Sequence, residues 1–343
     1  MALKTVTIQG RQWLLGRKPP QSRARTFKAG QALLSAPIPT PPPTLPIPAS
    51  CAKGLSQTFM NTQLGCCVIS HHAHFLANIT SQVGAPGGGF IYTDAQIIKD
   101  YSAVGGYIPG DPFSDQGCDI QTDLDYLQST GFADGSKLLG SINIDPSSQL
   151  AMLQSVWITG GVCFGMSLPD AWINPGPQQS GFVWDVAGSP DDGNGHCFTG
   201  FAYPNSQGIA IATWGMVGTI TWAAIAKYGA ASANGEVHSY VNPEMIDPKT
   251  GLAPNGLTLN QICTYFNAMG GSVVVPPAPN PSPTPTPSPT PGPISVNVPF
   301  GVYNLTLTGT SVSPAPPAIV VPSPVTVNLG GQSITISATL ASN

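Results

Sequence analysis

The chain has 343 residues, enough for one large or two ordinary domains with a proper core. Charged residues make up only 8% and the formal net charge is −4, which gives no case for nucleic-acid binding. Seven cysteines, an odd number scattered over a long chain, do not read as a disulfide framework. Buried reduced thiols plus one reactive thiol is the simpler account.

The N-terminal stretch is basic. Lys4, Arg11, Arg17, Lys18, Arg23, Arg25 and Lys28 fall before the first acidic residue, Asp94. This composition reads as a solvated extension, with a transit peptide or an arm for an acidic surface as the alternatives. Met1 to Gly16 lacks the apolar run of a secretory signal. No segment of the chain is long and apolar enough to span a bilayer, so a cytoplasmic or particle-associated protein is expected. Pro37 to Pro48 is proline-rich and predicts extended polyproline II running over the surface of the neighbouring globular domain, with covering the cleft as a propeptide does as the alternative. Residues 1–50 are therefore expected to lack a core.

Residues 51–272 carry the pattern of the main globular domain. Val68, Ile69, His72, Phe75, Leu76 and Ile79 recur at helical spacing, which puts Cys67 at or near a helix start. Ala95–Tyr101, Asp119–Ser129 and Ser147–Val156 predict further helices. Val162–Met166, His196–Tyr203 and Gly208–Thr213 are short β-like runs. A helical first half and a strand-rich second half imply an α+β architecture of two lobes, with a substrate cleft between them.

Residues 273–293 are a Pro/Ser/Thr-rich linker whose proline content forbids a packed core. Residues 294–343 alternate in the manner of strands, and Val325, Val327 and Leu329 precede Gly330-Gly331 and then Ile334 and Ile336, a hairpin signature. Fifty residues make a marginal core, so this small all-β module is expected to dock on a protein assembly or a surface.

Two segments carry the chemistry. Asn61-Thr-Gln-Leu-Gly-Cys-Cys67 leads into a helix, and Gly193-Asn-Gly-His196 begins a strand followed by Thr213-Trp214-Gly215. A thiol at a helix N-terminus with a distant histidine is how a cysteine nucleophile and its base are assembled, because the dipole and an imidazole both favour thiolate. The Asn61–Cys67 run, Tyr92–Gln96, Asp115–Cys118, Gly160-Gly161-Val162 and the Gly195-His196 to Trp214-Gly215 stretch occur in the order seen in papain-like (C1-type) cysteine peptidases. Over roughly residues 55–265 the chain resembles that family, in particular its divergent bacterial and phage-encoded members.

The resemblance implies a papain-like two-lobe fold and an acyl-enzyme mechanism on a polypeptide substrate held in the interlobe cleft. It makes Cys67 the nucleophile and His196 the base. It places Asn61 where the family has an oxyanion-hole glutamine, and Trp214 where an indole shields the histidine. Cys66 is an adjacent thiol that is not expected to attack. The family's orienting asparagine falls on Ala212, which has no polar side chain. Thr213 beside it stands with Trp214 as a candidate supporting residue, although it is expected to point to the other face of the strand, and a backbone carbonyl or Asp185 are the candidates to orient His196. Leu64 stands where the family has a cysteine that pairs with the one at Cys118, so that bridge cannot form.

His71, His72 and His74 form a second cluster, with His72 expected to pack inward and the others to be partly solvated. No second cysteine pair or carboxylate completes a metal set, so no metal or other cofactor is expected. Asp191–Gly195 reads as a polar turn rather than a calcium loop. The sequence thus points to a papain-like thiol hydrolase. The alternative from another class is a decayed papain-like scaffold with a structural or binding role.

Overall fold

The computed structural model describes residues 3–21, 38–84 and 89–274, together with two strands at 325–329 and 332–336. Its contacts divide the chain into two units, Met1–Pro283 and Thr284–Asn343. Most of the linker and the alternation expected over 294–307 lie outside the described residues.

In the first unit, β1 (Lys4–Ile8) and β2 (Arg11–Leu15) form an antiparallel hairpin with Ile8 opposite Arg11. A short helix α1 (Ala52–Leu55) precedes the long α2 (Cys67–Gln82), α3 (Asp94–Gly105) and α4 (Ile120–Ser129). Then come β3 (Gly140–Asn143), α5 (Gln149–Thr159), β4 (Val162–Ser167), α6 (Asp170–Ile173) and β5 (Val183–Trp184). Strands β6 (Gly195–Ala202), β7 (Gly208–Thr213) and β8 (Met216–Thr221) lead to α7 (Trp222–Tyr228), β9 (Glu236–Val241) and α8 (Leu259–Ala268). Seven strands make one sheet in the order β3-β9-β4-β6-β7-β8-β5. The mixed α+β class expected from the sequence is observed.

Local chemistry explains the helix limits. Thr93 and Gln96 form a reciprocal capping box on α3, Asp119 accepts from the Thr122 amide at the start of α4, and Ser148 accepts from the Ala151 amide at the start of α5. Helix α2 differs: Cys66 at its N-cap makes no side-chain cap bond, and its first turn holds no acidic residue. No side-chain cap and no first-turn acid therefore offset the positive end of the helix beside Cys67. Every residue from Cys67 to Ser81 is buried, so α2 is a central helix rather than an amphipathic one on the surface.

The N-terminal stretch corrects the expectation of a coreless extension. Val6, Ile8, Trp13 and Leu15 are buried in the same core cluster as Cys67, Phe75 and Phe198. Val6 and Ile8 on one strand, and Trp13 and Leu15 on the other, alternate with less buried residues (Thr7 and Leu14), so the hairpin buries one face. The proline-rich stretch does run across the domain, tied by mutual backbone hydrogen bonds between Leu45 and Tyr203 at 2.9 and 3.1 Å. In the second unit β10 (Val325–Leu329) and β11 (Gln332–Ile336) pair antiparallel, with Leu329 opposite Gln332, as the hairpin signature implies.

Candidate active site

Cys67 is the first residue of α2, and His196 is the second residue of β6. Together with Trp13, Asn61, Thr213 and Trp214 they line one cavity of about 10 Å³, room for about one water molecule. No hydrogen bond joins the thiol to the imidazole, and each residue is 1% exposed. The sequence-derived pair therefore lines one small buried cavity.

His196 is held from two sides. Its Nε2 lies 2.7 Å from Thr213 Oγ1, and its ring stacks on Trp214 with centroids 4.7 Å apart and planes 23° apart. Nδ1 is buried and has no hydrogen-bond partner among the described residues. Thr213 thus does what Ala212 cannot. The expectation that Thr213 points away is corrected by the strand register: Thr199 pairs with Ala212, so Thr213 falls opposite Phe198, on the face that His196 shares. Asp185 does not reach His196; its carboxylate accepts from the Thr221 hydroxyl at 2.7 Å and the Val186 amide at 2.8 Å.

Trp214 reaches the histidine through an unusual backbone. It has φ 54° and Gly215 has φ 70°, between paired Thr213 and Met216. Two positive φ values make a type I′ hairpin turn, which suits Asn-Gly far better than a bulky side chain. The turn accepts that cost and places the indole over the imidazole.

Asn61 is near the cavity but is engaged elsewhere. Its Nδ2 donates to Leu14 O at 3.0 Å and Leu64 O at 3.1 Å, and its carbonyl accepts from the Leu14 amide at 3.2 Å. Leu14 belongs to β2. Farther along, Cys118 donates to Gly16 O at 3.0 Å, Lys18 donates to Cys118 O at 3.0 Å, and Arg17 donates to Gly195 O at 3.1 Å. Residues 14–18 are therefore stitched to the loops before α2 and α4 and to the residue immediately before His196. Gly16 fits because it has no side chain: a Cβ there would lie 1.8 Å from Gly65 O. Arg17 is 4% exposed and sends Nη2 to Glu236 Oε1 at 2.7 Å and Nη1 to Asn234 O at 2.7 Å.

This closure sets the electrostatics. Burial pushes the Cys67 thiol up to about 12, with the neighbouring Cys197 adding to the rise. The amides of Gly16 and Cys197 and the Arg17 charge oppose it without prevailing. Burial, followed by His74, lowers His196 to about 3. Both groups are neutral near pH 7. Cys66 is buried against Ser70 and Phe59 O, with its thiol raised by burial as that of Cys67 is.

The histidine cluster is drier than its sequence implies. His71, His72 and His74 are all buried, which corrects the expectation that His71 and His74 are partly solvated. His71 Nδ1 meets Thr199 Oγ1 at 2.7 Å and its Nε2 meets Tyr240 OH at 2.9 Å. Tyr240 OH meets His72 Nδ1 at 3.1 Å, and His72 Nε2 bonds the Asp123 carboxylate. All seven cysteines are free and buried. Arg17, Glu236 and Thr213's role in holding the histidine were not legible as site features; each depends on strand register or on contacts far apart in sequence.

No protein family matches the sequence, and no curated protein sequence matches it either. Among solved structures, the chain is similar to xylellain, a cysteine protease from Xylella fastidiosa, at 13% identity and a TM-score of 0.46, over 70% of this chain and 99% of that one. It is also similar to a structure from work on the mite allergens Blo t 1 and Der p 1, at 13% identity and a TM-score of 0.39, over 63% and 75% of the two chains.

Proposed function

We propose that the chain is a papain-like thiol hydrolase acting on peptide bonds, held in a latent form by its own residues 14–18. The observation that carries this reading is the His196 arrangement. One ring nitrogen is anchored by Thr213, the ring is covered by Trp214, and the other nitrogen is free beside the cavity that Cys67 lines. A general base needs its orienting bond on one nitrogen and an unoccupied nitrogen for the proton it accepts.

With the cleft open, the Cys67 proton passes to His196 Nδ1 as sulfur bonds to the substrate carbonyl carbon. The oxyanion takes hydrogen bonds from the Cys67 amide at the uncapped start of α2 and from Asn61 Nδ2, once Leu14 O has left it. His196 returns the proton to the leaving amine, and water then hydrolyses the thioester with the same base. Solvent entry lowers the thiol and raises the imidazole, because burial is the first cause of both shifts.

The closed cleft and the two neutral groups favour a second reading, a non-catalytic scaffold. Active-site labelling separates the two. Full-length chain carrying Gly16→Ala, which expels the segment at Gly65, is treated with a peptidyl electrophile and read by peptide mass spectrometry. The hydrolase reading expects label on Cys67 that His196→Ala abolishes, and turnover that Cys67→Ala abolishes while Cys66→Ala retains it. A Cys67 that labels no faster than a free thiol once the cleft is open establishes the scaffold.

A further inference from the structure

The hydrolase reading leaves a second set of groups unused. His71 of α2, Cys163 of β4 and Cys197 of β6 each offer one donor atom, and these atoms lie within 4.8 Å of one another, all buried. The two sulfurs are 3.4 Å apart, within hydrogen-bonding distance, and form no disulfide. We propose that His71, Cys163 and Cys197 are a binding site for Zn2+, whose fourth position opens on the water-sized cavity that His71 and Cys197 both line.

The donor set fits. Two thiolates and one imidazole are ligands that zinc takes, with a fourth position for water in sites that are not fully closed. Bonds of about 2.3 Å at tetrahedral angles put two sulfurs roughly 3.8 Å apart, so the pair must spread by only a few tenths of an ångström. The third donor must close in by about 1 Å, within reach of side-chain rotation. The strands hold the sulfurs close by register. Cys163 pairs with Thr199 and Gly165 with Cys197, so the two cysteines are diagonal neighbours on one sheet face.

The histidine is prepared for a ligand role. One direction of protons that satisfies the chain from His71 to Asp123 runs from His71 Nε2–H to Tyr240 O, from Tyr240 O–H to His72 Nδ1, and from His72 Nε2–H to the Asp123 carboxylate. That direction leaves a lone pair on His71 Nδ1. The atom faces Thr199, two residues along β6 from Cys197 and on the same face, and the Thr199 hydroxyl has a second partner in His71 O at 3.0 Å. A ligand histidine whose other nitrogen donates to an ordered outer group is the usual arrangement around zinc.

Charge closes the argument. Two neutral thiols each release a proton to solvent as the dication enters, which leaves a neutral buried assembly where two isolated thiolates could not form. Burial raises the thiols of Cys163 and Cys197 and lowers His71, so without a metal the site stays uncharged.

The test uses full-length protein, stripped by a chelator under reducing conditions and titrated with Co2+ and then Zn2+. One equivalent of Co2+ giving sulfur-to-cobalt charge transfer and tetrahedral visible bands, displaced by Zn2+, is expected. X-ray absorption of the zinc form should show two sulfurs at about 2.3 Å and one nitrogen at about 2.0–2.1 Å. Cys163→Ser and Cys197→Ser should each cut the charge-transfer band by half or more, whereas Cys66→Ser and Cys67→Ala leave it intact. Tyr240→Phe should weaken zinc by roughly 10–100-fold, as loss of an outer partner does. Absence of a thiolate band in the folded wild-type chain, a zinc shell of nitrogen and oxygen alone, or an unchanged band in both serine variants overturns the site. The wild-type spectra decide the matter even if the serine variants fail to fold. Retention of the band in Cys67→Ala keeps this result independent of the hydrolase reading.

Discussion

Arg17 and Glu236 are 219 residues apart in sequence and 2.7 Å apart in the fold, and the amide of the same arginine donates to Gly195 O beside His196. Glu236 is in turn held by His238 Nε2 at 2.8 Å on its other oxygen. Despite burial, its carboxyl stays below the ordinary range because His238 and Arg17 surround it. One residue thus ties the N-terminal segment to β9 through its side chain and to the start of β6 through its amide.

Breaking that tie should open the site. Arg17→Ala leaves Glu236 buried against His238 alone, a loss of about 3–5 kcal/mol for a broken buried pair. Alkylation of Cys67 at pH 7.5 should then accelerate by an order of magnitude or more over the intact chain, as measured by peptide mass spectrometry. Arg17→Lys, which keeps charge but not the forked contact, should fall between the two. An Arg17→Ala chain that is folded and labels at the wild-type rate would show that other contacts close the cleft.

Thr213 should matter for catalysis out of proportion to its size. Thr213→Val keeps the volume and removes the oxygen 2.7 Å from His196 Nε2, leaving both imidazole nitrogens without partners, at about 1–3 kcal/mol. In a chain opened by Gly16→Ala, kcat should fall with little change in KM, and Thr213→Ser should recover most of it. A drop confined to KM would assign Thr213 to substrate binding instead.

The N-terminal hairpin should behave as core. Trp13 is buried in the main cluster, and Trp13→Ala removes an indole from it at about 3–5 kcal/mol. Urea denaturation of the full chain reads this directly; a change under 1 kcal/mol would return residues 3–18 to the status of an extension.

The reasons these features escaped the sequence are physical. Alternating Val6 and Ile8, then Gln9-Gly10, then Trp13 and Leu15, is a hairpin pattern, but the surrounding arginines and lysines give the stretch the composition of a solvated arm. Gln9 and Gly10 do adopt positive φ, 53° and 72°, as a tight hairpin turn requires. The Cys67 helix start and the β6 strand of His196 were legible because each rests on local pattern. Thr213 was not, since facing depends on a register that begins with the Thr199–Ala212 pair. His71, Cys163 and Cys197 share no spacing at all; the sheet and α2 bring them together.

Acidity offers a last check, through Asp100. Burial raises its carboxyl to about 6, and the Asp123 charge adds to the rise, while the Ala133 amide and the His72 and Lys99 charges oppose it. A carboxyl whose pKa in the folded chain lies above its unfolded value binds protons more tightly when folded. Its contribution to stability is therefore present below about pH 4 and is lost as pH rises to about 6 and beyond. Asp100→Asn keeps an oxygen for the Ala133 amide, 3.0 Å away, and cannot ionise. The variant should gain on the wild type steadily between pH 4 and pH 6 and hold a constant advantage above that, as read from denaturant midpoints at each pH. A difference that is flat across this range would mean that Asp100 is as easily charged in the folded chain as in the unfolded one.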